Sequence, residues 1–210
     1  MQILAIIQAR VGSSRLPGKV LFKLGNKTIL EHVIDRVRMA KKIDMKIVAY
    51  PLKFESSPII RLCLDNEILG FAGLEYDVLD RYYQCANMFL SKHIVRITSD
   101  CPLINPELID EVIQYHLDTK ADYTSNRLSP PAYPDGEDVE IFTMQALTRA
   151  WHCATTYYER EHVSPYMKTD PMNICIAYHA PEDMSHIKYS LDTMEDFKEI
   201  KRRYYGSNNI

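Results

Sequence analysis

A basic, glycine-containing loop follows the first apolar run of the chain. The run Ile3–Ile7 is typical of a buried strand, and residues 8–19 then read Gln-Ala-Arg-Val-Gly-Ser-Ser-Arg-Leu-Pro-Gly-Lys. Three cations, Arg10, Arg15 and Lys19, stand among small residues that let backbone N–H groups approach an anion. The pattern favours a polyphosphate-binding loop in a nucleotide-using enzyme. A solvated basic turn is the alternative, because the spacing matches neither a Walker A motif nor a dinucleotide-binding loop.

Two aspartates follow predicted strands farther along the chain. Asp100 comes after the apolar stretch 93–98, and Asp192 comes after the stretch 187–191. Carboxylates at strand ends can ligate Mg²⁺, which needs only one or two of them when substrate phosphates complete its shell. Each aspartate also has a structural alternative. Asp100 would cap the turn before Pro102, and Asp192 would be the N-cap of the last helix. The metal hypothesis requires the two carboxylates to converge.

An acidic loop and a histidine are weaker candidates. Residues 133–140 read Tyr-Pro-Asp-Gly-Glu-Asp-Val-Glu, and their carboxylates could bind a cation, accept hydrogen bonds from a polyol, or be solvated. His162 fits no metal spacing with His152, so a helix-surface or packed histidine is favoured. No serine or cysteine lies in a nucleophile-elbow context, which argues against covalent catalysis.

The elements that must position these residues alternate regularly over residues 1–125. The pattern predicts strands at 3–8, 46–50, 68–71, 93–98 and 123–125, and helices at 28–40, 57–66, 77–90 and 105–117. Such alternation is typical of a parallel sheet with helices on both faces. Ligands bind outside the carboxyl ends of the strands in these sheets. We therefore expect the loops 8–19 and 99–105 to share one crevice.

The second half is less regular. It predicts a Pro-rich acidic loop at 127–138, strands at 139–142, 174–179 and 187–191, and helices at 143–151, 157–168 and from 192–193 to about 205. Pro165 should bend or end the second of these helices. With no linker in the sequence, residues 1–210 are predicted to form a single domain with a smaller α+β subregion in the second half.

Composition excludes several classes of protein. A length of 210 residues suits one sizeable domain, and a net charge of −3 gives no global basic character for nucleic acid. No window approaches the roughly 20 apolar residues of a membrane span, and the N-terminus does not read as a secretory signal. The five cysteines are odd in number and lack a C-x-x-C pair. Free thiols in a reducing cytoplasm are the expectation.

Taken together and in order, the motifs resemble the cytidylyltransferase family, which includes the CMP-Kdo synthetases, the acylneuraminate cytidylyltransferases and the SpsF-like proteins. The resemblance extends over nearly the whole chain and rests on residues 8–21, 77–83, 96–103, 133–140, 160–166 and 191–196. The first stretch is the most specific of these. One departure is Ser99, where the family pattern has glycine before the aspartate.

The resemblance implies a Rossmann-like three-layer α/β sandwich with a mostly parallel sheet, a CTP-dependent and Mg²⁺-dependent transfer, and a homodimer. The implied CTP-binding residues are Gln8, Ala9, Arg10, Gly12, Ser13, Arg15, Lys19, Arg81 and Thr98, with Arg81 near the base. Arg15, Lys19 and Asp100 would be catalytic, and Asp100 and Asp192 would ligate the metal. The implied acceptor-binding residues are Tyr133, Asp135, Asp138, Glu140 and His162.

The leading hypothesis is that a sugar-acid or sugar- or polyol-phosphate acceptor attacks the α-phosphorus of CTP and releases pyrophosphate. A GT-A-like glycosyltransferase is the first alternative. It would need a D-x-D motif, to which Asp135-Gly-Glu137 and Asp138-Val-Glu140 are imperfect matches. A non-catalytic nucleotide-binding protein of a polysaccharide pathway is the second alternative.

Overall fold

A seven-stranded sheet forms the centre of the computed structural model, which describes residues 2–128 and 130–207. The strands are β1 (Ile3–Gln8), β2 (Lys23–Leu24), β3 (Lys27–Thr28), β4 (Met45–Pro51), β5 (Leu69–Gly73), β6 (His93–Thr98), β7 (Tyr123–Ser125), β8 (Glu140–Thr143) and β9 (Cys175–Ala177). The helices are α1 (Ile29–Met39), α2 (Ser57–Asp65), α3 (Val78–Met88), α4 (Pro106–Thr119), α5 (Met144–Cys153), α6 (Tyr157–His162), α7 (Pro165–Thr169) and α8 (Met194–Ser207).

The strand order is β5-β4-β1-β6-β8-β7-β9, and it confirms the predicted mostly parallel sheet. Strands β5, β4, β1 and β6 run parallel, β8 is antiparallel to both of its neighbours, and β9 is parallel to β7. The irregular second half of the sequence therefore supplies two strands, β8 and β9, to the same sheet. Strands β2 and β3 form a separate small hairpin that the sequence pattern did not predict.

Strand β1 lies in the middle of the sheet, and its side chains alternate between two cores. Ala5 and Ile7 pack in the cluster that holds the buried faces of α1 and α4. Leu4 and Ile6 pack in the cluster that holds the buried faces of α3 and α5. Successive side chains of a strand point to opposite faces, so a continuous apolar run needs a helical layer on each side. The three-layer prediction is confirmed.

The register of the central strands aligns the carboxyl ends of β1, β4 and β6. Gln8 pairs with Thr98 of β6 and with Ala49 of β4 at the carboxyl edge. The Ser99 N–H continues the ladder by donating to the Gln8 carbonyl at 3.1 Å. The loops that follow β1 and β6 therefore leave the sheet side by side.

Several local predictions are confirmed and one is wrong. Thr28 and Glu31 form the predicted capping box at the start of α1, and all five cysteines are free. The stretch 187–191 was predicted as a strand but forms only one isolated bridge, between Lys188 and Asp135. The helix predicted over 157–168 is divided by Val163, whose φ is 70°, just before Pro165.

Within residues 2–128 and 130–207 we find no helix with the length and apolar content of a membrane span.

Candidate active site

A polar cavity of about 170 Å³ opens at the carboxyl ends of β1 and β6. Its walls come from the two loops that the sequence predicted would share a crevice. The lining residues are Gln8, Arg10, Ser13, Ser14, Arg15, Lys19, Val20, Thr98, Ser99 and Asp100. The cavity therefore combines hydroxyl groups and cations with one carboxylate, a composition suited to an anionic ligand bound with a cation.

The loop after β1 is folded back by a left-handed glycine. Gly18 has φ 72°, and its N–H donates to the Val11 carbonyl at 3.0 Å, which closes the loop. Glycine adopts this conformation without the steric cost that other residues meet. A single 3₁₀ turn, Lys19–Leu21, follows immediately. This turn places Lys19 at the edge of the sheet.

The Lys19 ammonium joins the two strand-end carboxylates. Its Nζ donates to Asp100 Oδ2 at 2.6 Å, to the Leu191 carbonyl at 2.6 Å and to Asp192 Oδ1 at 3.0 Å. Only 12% of the Lys19 side chain is exposed, so water screens these contacts weakly. Asp100 and Asp192 thus converge, as the metal hypothesis required.

Asp192 is surrounded by positive charge. Besides Lys19, two other cations form ion pairs with its carboxylate. The Arg15 guanidinium lies 2.8 Å from Oδ1, and Lys188 Nζ lies 3.4 Å from Oδ2. Burial raises the pKa of the Asp192 carboxyl, but the bond to Lys19 and the charges of Arg15 and Lys188 outweigh burial and leave the pKa below its usual value. Lys188 also pairs with Asp196 at 2.9 Å. The carboxylate is held in its charged form.

Asp192 is not the N-cap of the last helix. The Thr193 hydroxyl caps α8 by accepting the Asp196 N–H at 3.2 Å. In return the Asp196 carboxylate accepts the N–H groups of Asp192 and Thr193, at 3.0 and 2.9 Å. These bonds leave the Asp192 side chain to face Lys19. The structural alternative for Asp192 is therefore wrong.

The acidic loop supports the segment that carries Asp192. The Asp135 N–H donates to the Ile187 carbonyl at 2.9 Å, and the Leu191 N–H donates to the Asp100 carbonyl at the same distance. Gly136 lies against this segment with φ 104°, and a Cβ there would be 2.4 Å from the Ser190 nitrogen. The close approach requires glycine.

The carboxylates of this loop have basic partners. Asp138 pairs with Arg127 at 3.2 Å, and Glu140 pairs with Arg96 at 3.1 Å. Burial raises the pKa of Asp138 to about 6 despite Arg127, while Arg96 overcomes burial and lowers the pKa of Glu140. The solvated-loop alternative is therefore wrong for these two groups, and neither half of the imperfect D-x-D match at 138–140 is a free carboxylate.

Helix α6 contacts the loop after β1 outside the lining of the cavity. Arg10 forms an ion pair with Glu161 of this helix at 3.7 Å. Arg160 donates three hydrogen bonds of 2.5 to 3.0 Å to the carboxylate of Asp77, the N-cap of α3. His162, on the same helix, packs on the Tyr158 ring with centroids 4.5 Å apart. The stretch 160–166 thus positions Arg10 rather than lining the cavity.

Most of the predicted nucleotide-binding residues line the cavity, and their roles stay predictions. Ala9, Gly12 and Arg81 do not belong to its lining. Arg81 is 1% exposed and donates to the Leu74 carbonyl at 2.6 Å. Tyr133 is also buried, and it stacks on Tyr178 with centroids 6.1 Å apart. Arg81 and Tyr133 are therefore buried side chains that do not line this cavity.

The sequence did not indicate Lys188, Asp196 or Glu161 as parts of the site. Lys188, Asp192 and Asp196 follow one another at intervals of four residues, which is the spacing of ion pairs on a helix. That signal was not usable, because residues 187–193 are not helical. Glu161 had no signal, since its role depends on α6 lying next to the loop after β1.

The donor set fits a magnesium-like cation completed by phosphates. Two carboxylates and one carbonyl, all oxygen donors, point at a single positive charge between them. The described part of the chain contains no group of three or more His, Cys, Asp or Glu side chains that could hold a metal. These residues therefore do not form a closed protein cage, and a cation held by Asp100 and Asp192 would need further oxygen ligands from a bound molecule.

Comparison with known proteins gives a family and a fold. A family model described as cytidylyltransferase matches residues 4–206. The chain is 35% identical to the spore coat polysaccharide biosynthesis protein SpsF of Bacillus subtilis over 209 residues, which cover 96% of this chain and 86% of SpsF. It is similar to the structure of a cytidylyltransferase from Leptospira borgpetersenii, with a TM-score of 0.91 and 29% identity over 96% of this chain and 85% of that one.

A more distant structure extends the comparison. The CMP-2-keto-3-deoxy-manno-octonic acid synthetase, solved in complex with CTP, superimposes with a TM-score of 0.72 over 99% of this chain and all of that one. At 15% identity this likeness shows the fold alone. The Rossmann-like nucleotidyltransferase fold expected from the resemblance is confirmed.

Proposed function

The chain belongs to the cytidylyltransferase family and is a nucleotidyltransferase, and from this premise we propose that it transfers CMP from CTP to a sugar acid or a phosphorylated sugar or polyol. The product would serve surface polysaccharide biosynthesis, by analogy with the named role of SpsF. The convergence of Lys19, Asp100 and Asp192 beside a basic loop carries this proposal.

The proposed reaction is an in-line displacement without a covalent intermediate. An acceptor oxygen forms a bond to the α-phosphorus of CTP as the bond from that phosphorus to the bridging oxygen breaks. Pyrophosphate leaves with the bridging electron pair, and the acceptor hydroxyl loses its proton. Negative charge therefore grows on the leaving oxygens, where cations stabilise the transition state most.

The basic loop supplies these cations. Arg15 is 67% exposed along its side chain, and Lys19 lies deeper in the cavity. We assign both to the β- and γ-phosphates, with Ser13 and Arg10 holding the rest of the triphosphate. Arginine offers paired N–H donors to phosphate oxygens, and lysine a compact charge. Arg81, which is buried, is proposed to act near the base through its charge.

Asp100 and Asp192 are proposed to hold Mg²⁺. This ion would supply charge neutralisation at the reacting phosphate when bound. The support is the oxygen donor set described above, and the structure of a more distant relative, Rv0371c of Mycobacterium tuberculosis, was solved in complex with manganese. The two aspartates orient the phosphate by fixing where positive charge lies.

The acceptor is proposed to bind on the side of the acidic loop. The proposed acceptor-binding residues are four from this loop, Tyr133, Asp135, Asp138 and Glu140, together with His162 from α6. Asp138 has a pKa of about 6 because it is buried. A carboxyl that is easily protonated is suited to hydrogen bonding with the hydroxyls of a polyol or sugar.

Pyrophosphate release tests the proposal. The protein is incubated with CTP, Mg²⁺ and a panel of 2-keto sugar acids and sugar or polyol phosphates. We expect pyrophosphate and a CMP- or CDP-linked product with at least one acceptor, and weaker activity with the other nucleoside triphosphates. Absence of pyrophosphate over a broad panel would contradict the proposal.

The same assay separates the alternative functions. A glycosyltransferase would consume a nucleotide sugar and release a nucleoside diphosphate. A non-catalytic protein would bind CTP tightly in calorimetry and turn over no acceptor. Identifying the released product therefore distinguishes the three functions in one experiment.

We also propose a homodimer and a cytoplasmic location. Leu52 and Phe54, which follow β4, are 79% and 89% exposed, and Tyr76 after β5 is 70% exposed. Exposed apolar side chains of this kind favour an interface. The free cysteines support a reducing compartment. Light scattering on the purified protein tests the dimer, which requires twice the mass of one chain.

A further inference from the structure

The Lys19 ammonium lies where a cation shared by Asp100 and Asp192 must lie. It contacts one oxygen of each carboxylate, at 2.6 and 3.0 Å, and the Leu191 carbonyl at 2.6 Å. Three oxygen atoms from two separate segments thus accept hydrogen bonds from one nitrogen. Lys19 is also the most enclosed of the cations at this site, with 12% of its side chain exposed against 38% for Lys188 and 67% for Arg15.

An ammonium group and a divalent cation cannot use these oxygens together. Magnesium ions bind carboxylate oxygens at about 2.0–2.1 Å. A metal on Asp100 Oδ2 and Asp192 Oδ1 would therefore lie within a few ångströms of Lys19 Nζ in its present position. Repulsion between charges so close, in a poorly solvated site, is large.

The Lys19 side chain has room to move its ammonium group into the neighbouring cavity. The adjoining cavity is lined by Ser13, Ser14, Arg15 and Thr98, and lysine has a flexible four-carbon side chain. Phosphate oxygens in that cavity would offer the ammonium new partners. Its move would release both aspartates at the same time.

We infer that Lys19 is a resident counter-cation that closes the divalent-cation site until nucleotide phosphates draw its ammonium away. Nucleotide and metal then bind interdependently, because each favours the same position of Lys19. This inference rests on the proposed function, since it uses the same two aspartates. It assigns Lys19 a second role, as the residue that couples the two ligands.

Neither neighbouring cation can act in the same way. Arg15 and Lys188 contact Asp192, and neither forms an ion pair with Asp100. Lys188 is also tied to Asp196 at 2.9 Å. Lys19 alone bridges the two carboxylates among the ion pairs of residues 2–128 and 130–207.

The test is Mn²⁺ binding without nucleotide, measured from the paramagnetic resonance of free Mn²⁺. Lys19→Met should bind Mn²⁺ at least roughly tenfold tighter than the native protein, because an internal competing charge is gone. Lys19→Arg, which keeps the charge, should bind as weakly as the native protein. Lys53→Met is the matched control, because Lys53 pairs with Glu75 and forms no ion pair with Asp100 or Asp192 among the described residues. Equal affinities for Lys19→Met and the native protein would overturn the inference.

A measurement on the native protein guards against misfolding of the variant. Acetic anhydride labels lysines according to their accessibility, and mass spectrometry gives the extent of labelling at each position. Saturating Mn²⁺ should increase the labelling of Lys19 relative to Lys53. Unchanged labelling under saturation would contradict the inference. Pyrophosphate release is independent of both readouts, so failure of the proposed function is recognised separately.

Discussion

One lysine nitrogen joins segments that are distant in the chain. Lys19 lies 81 residues from Asp100 and 173 residues from Asp192, yet it bonds to both. Such a cluster is specific because the sheet edge and the α8 N-terminus must both be in place before it forms. The charges of these three side chains hold the site together.

Asp100 is the most direct residue to change. Asp100→Asn removes a charge while preserving size, and we expect pyrophosphate release to fall by about 100-fold or more, since a preorganised charge at the reacting phosphate is lost. Asp118→Asn is the control, because Asp118 lies on α4 and accepts an exposed hydrogen bond from Gln114 of the same helix. Equal activity in the two variants would refute the role of Asp100.

A buried histidine, His116, gives the protein an acid sensitivity outside the site. His116 is fully buried and contacts His93 and the Thr124 hydroxyl, each at 3.0 Å. Burial, followed by the neighbouring His93, lowers the pKa of His116 to about 4. The unfolded chain has a histidine pKa of about 6.5, so it binds this proton first as the pH falls.

The stability of the native protein should therefore fall as the pH drops from about 6.5 to about 4, by roughly 3 kcal/mol from this group. His93 adds a contribution of the same sign, because burial also lowers its pKa. Urea unfolding of the native protein and of His116→Gln across this pH range provides the measurement. The variant should show a flatter profile. Parallel profiles would show that His116 does not control acid stability.

At the scale of elements, hydrophobic periodicity and capping residues predicted the central strand and the first helix correctly. The run Ile3–Ile7 and the capped helix at Thr28 have strong local signals, and both are where the pattern indicated. The stretch 187–191 has apolar residues suited to a strand, but the acidic loop and the turn after Asp100 take its backbone hydrogen bonds. That outcome depends on tertiary contacts, which no local pattern contains.

The site was predictable in part for the same reason. Arg15, Lys19 and Asp100 stand next to strand ends, where a parallel sheet collects its ligands. Lys188, Asp196 and Glu161 enter through loops and a helix whose positions the sequence left open. The pairing of Asp138 and Glu140 with Arg127 and Arg96 was likewise invisible, because these arginines follow other strands or lie within them.

The contact of Gly136 with the Ser190 backbone makes a prediction at this scale. Gly136→Ala would combine a φ of 104° with a collision, so we expect destabilisation of at least about 1–3 kcal/mol and reduced activity through displacement of Asp192. Gly206→Ala is the control, because a Cβ there meets nothing within 4 Å in helix α8. Thermal unfolding of both variants gives the comparison. An unaffected Gly136→Ala protein would contradict the proposed support of the Asp192 segment.

For the whole molecule, the continuity of the sheet is the main feature. Strand β8, from the second half, pairs with β6 from the first half, and β7 and β9 extend the sheet from there. Helix α5 packs in the same core as β1. Both halves therefore contribute to the same hydrophobic core on this face of the sheet, in keeping with the single domain proposed for residues 1–210.

We expect cooperative unfolding as a consequence. Trp151, the chain's single tryptophan, lies on α5, where it stacks on Tyr83 and donates to Asp80 at 2.8 Å. Its fluorescence should change at the same urea concentration as the far-UV circular dichroism of the whole chain. An earlier fluorescence transition would indicate that the second half unfolds on its own.

We propose that the α-phosphorus of CTP passes to an acceptor at the site formed by Lys19, Asp100 and Asp192. The most direct measurement uses CTP radiolabelled at the α-phosphorus, with Mg²⁺ and an acceptor that supports pyrophosphate release. We predict that the label enters the acceptor product in step with unlabelled pyrophosphate, and that Asp100→Asn lowers both by about 100-fold or more. Label that stays in CTP, or appears in CDP or free CMP with no acceptor product, would contradict this transfer.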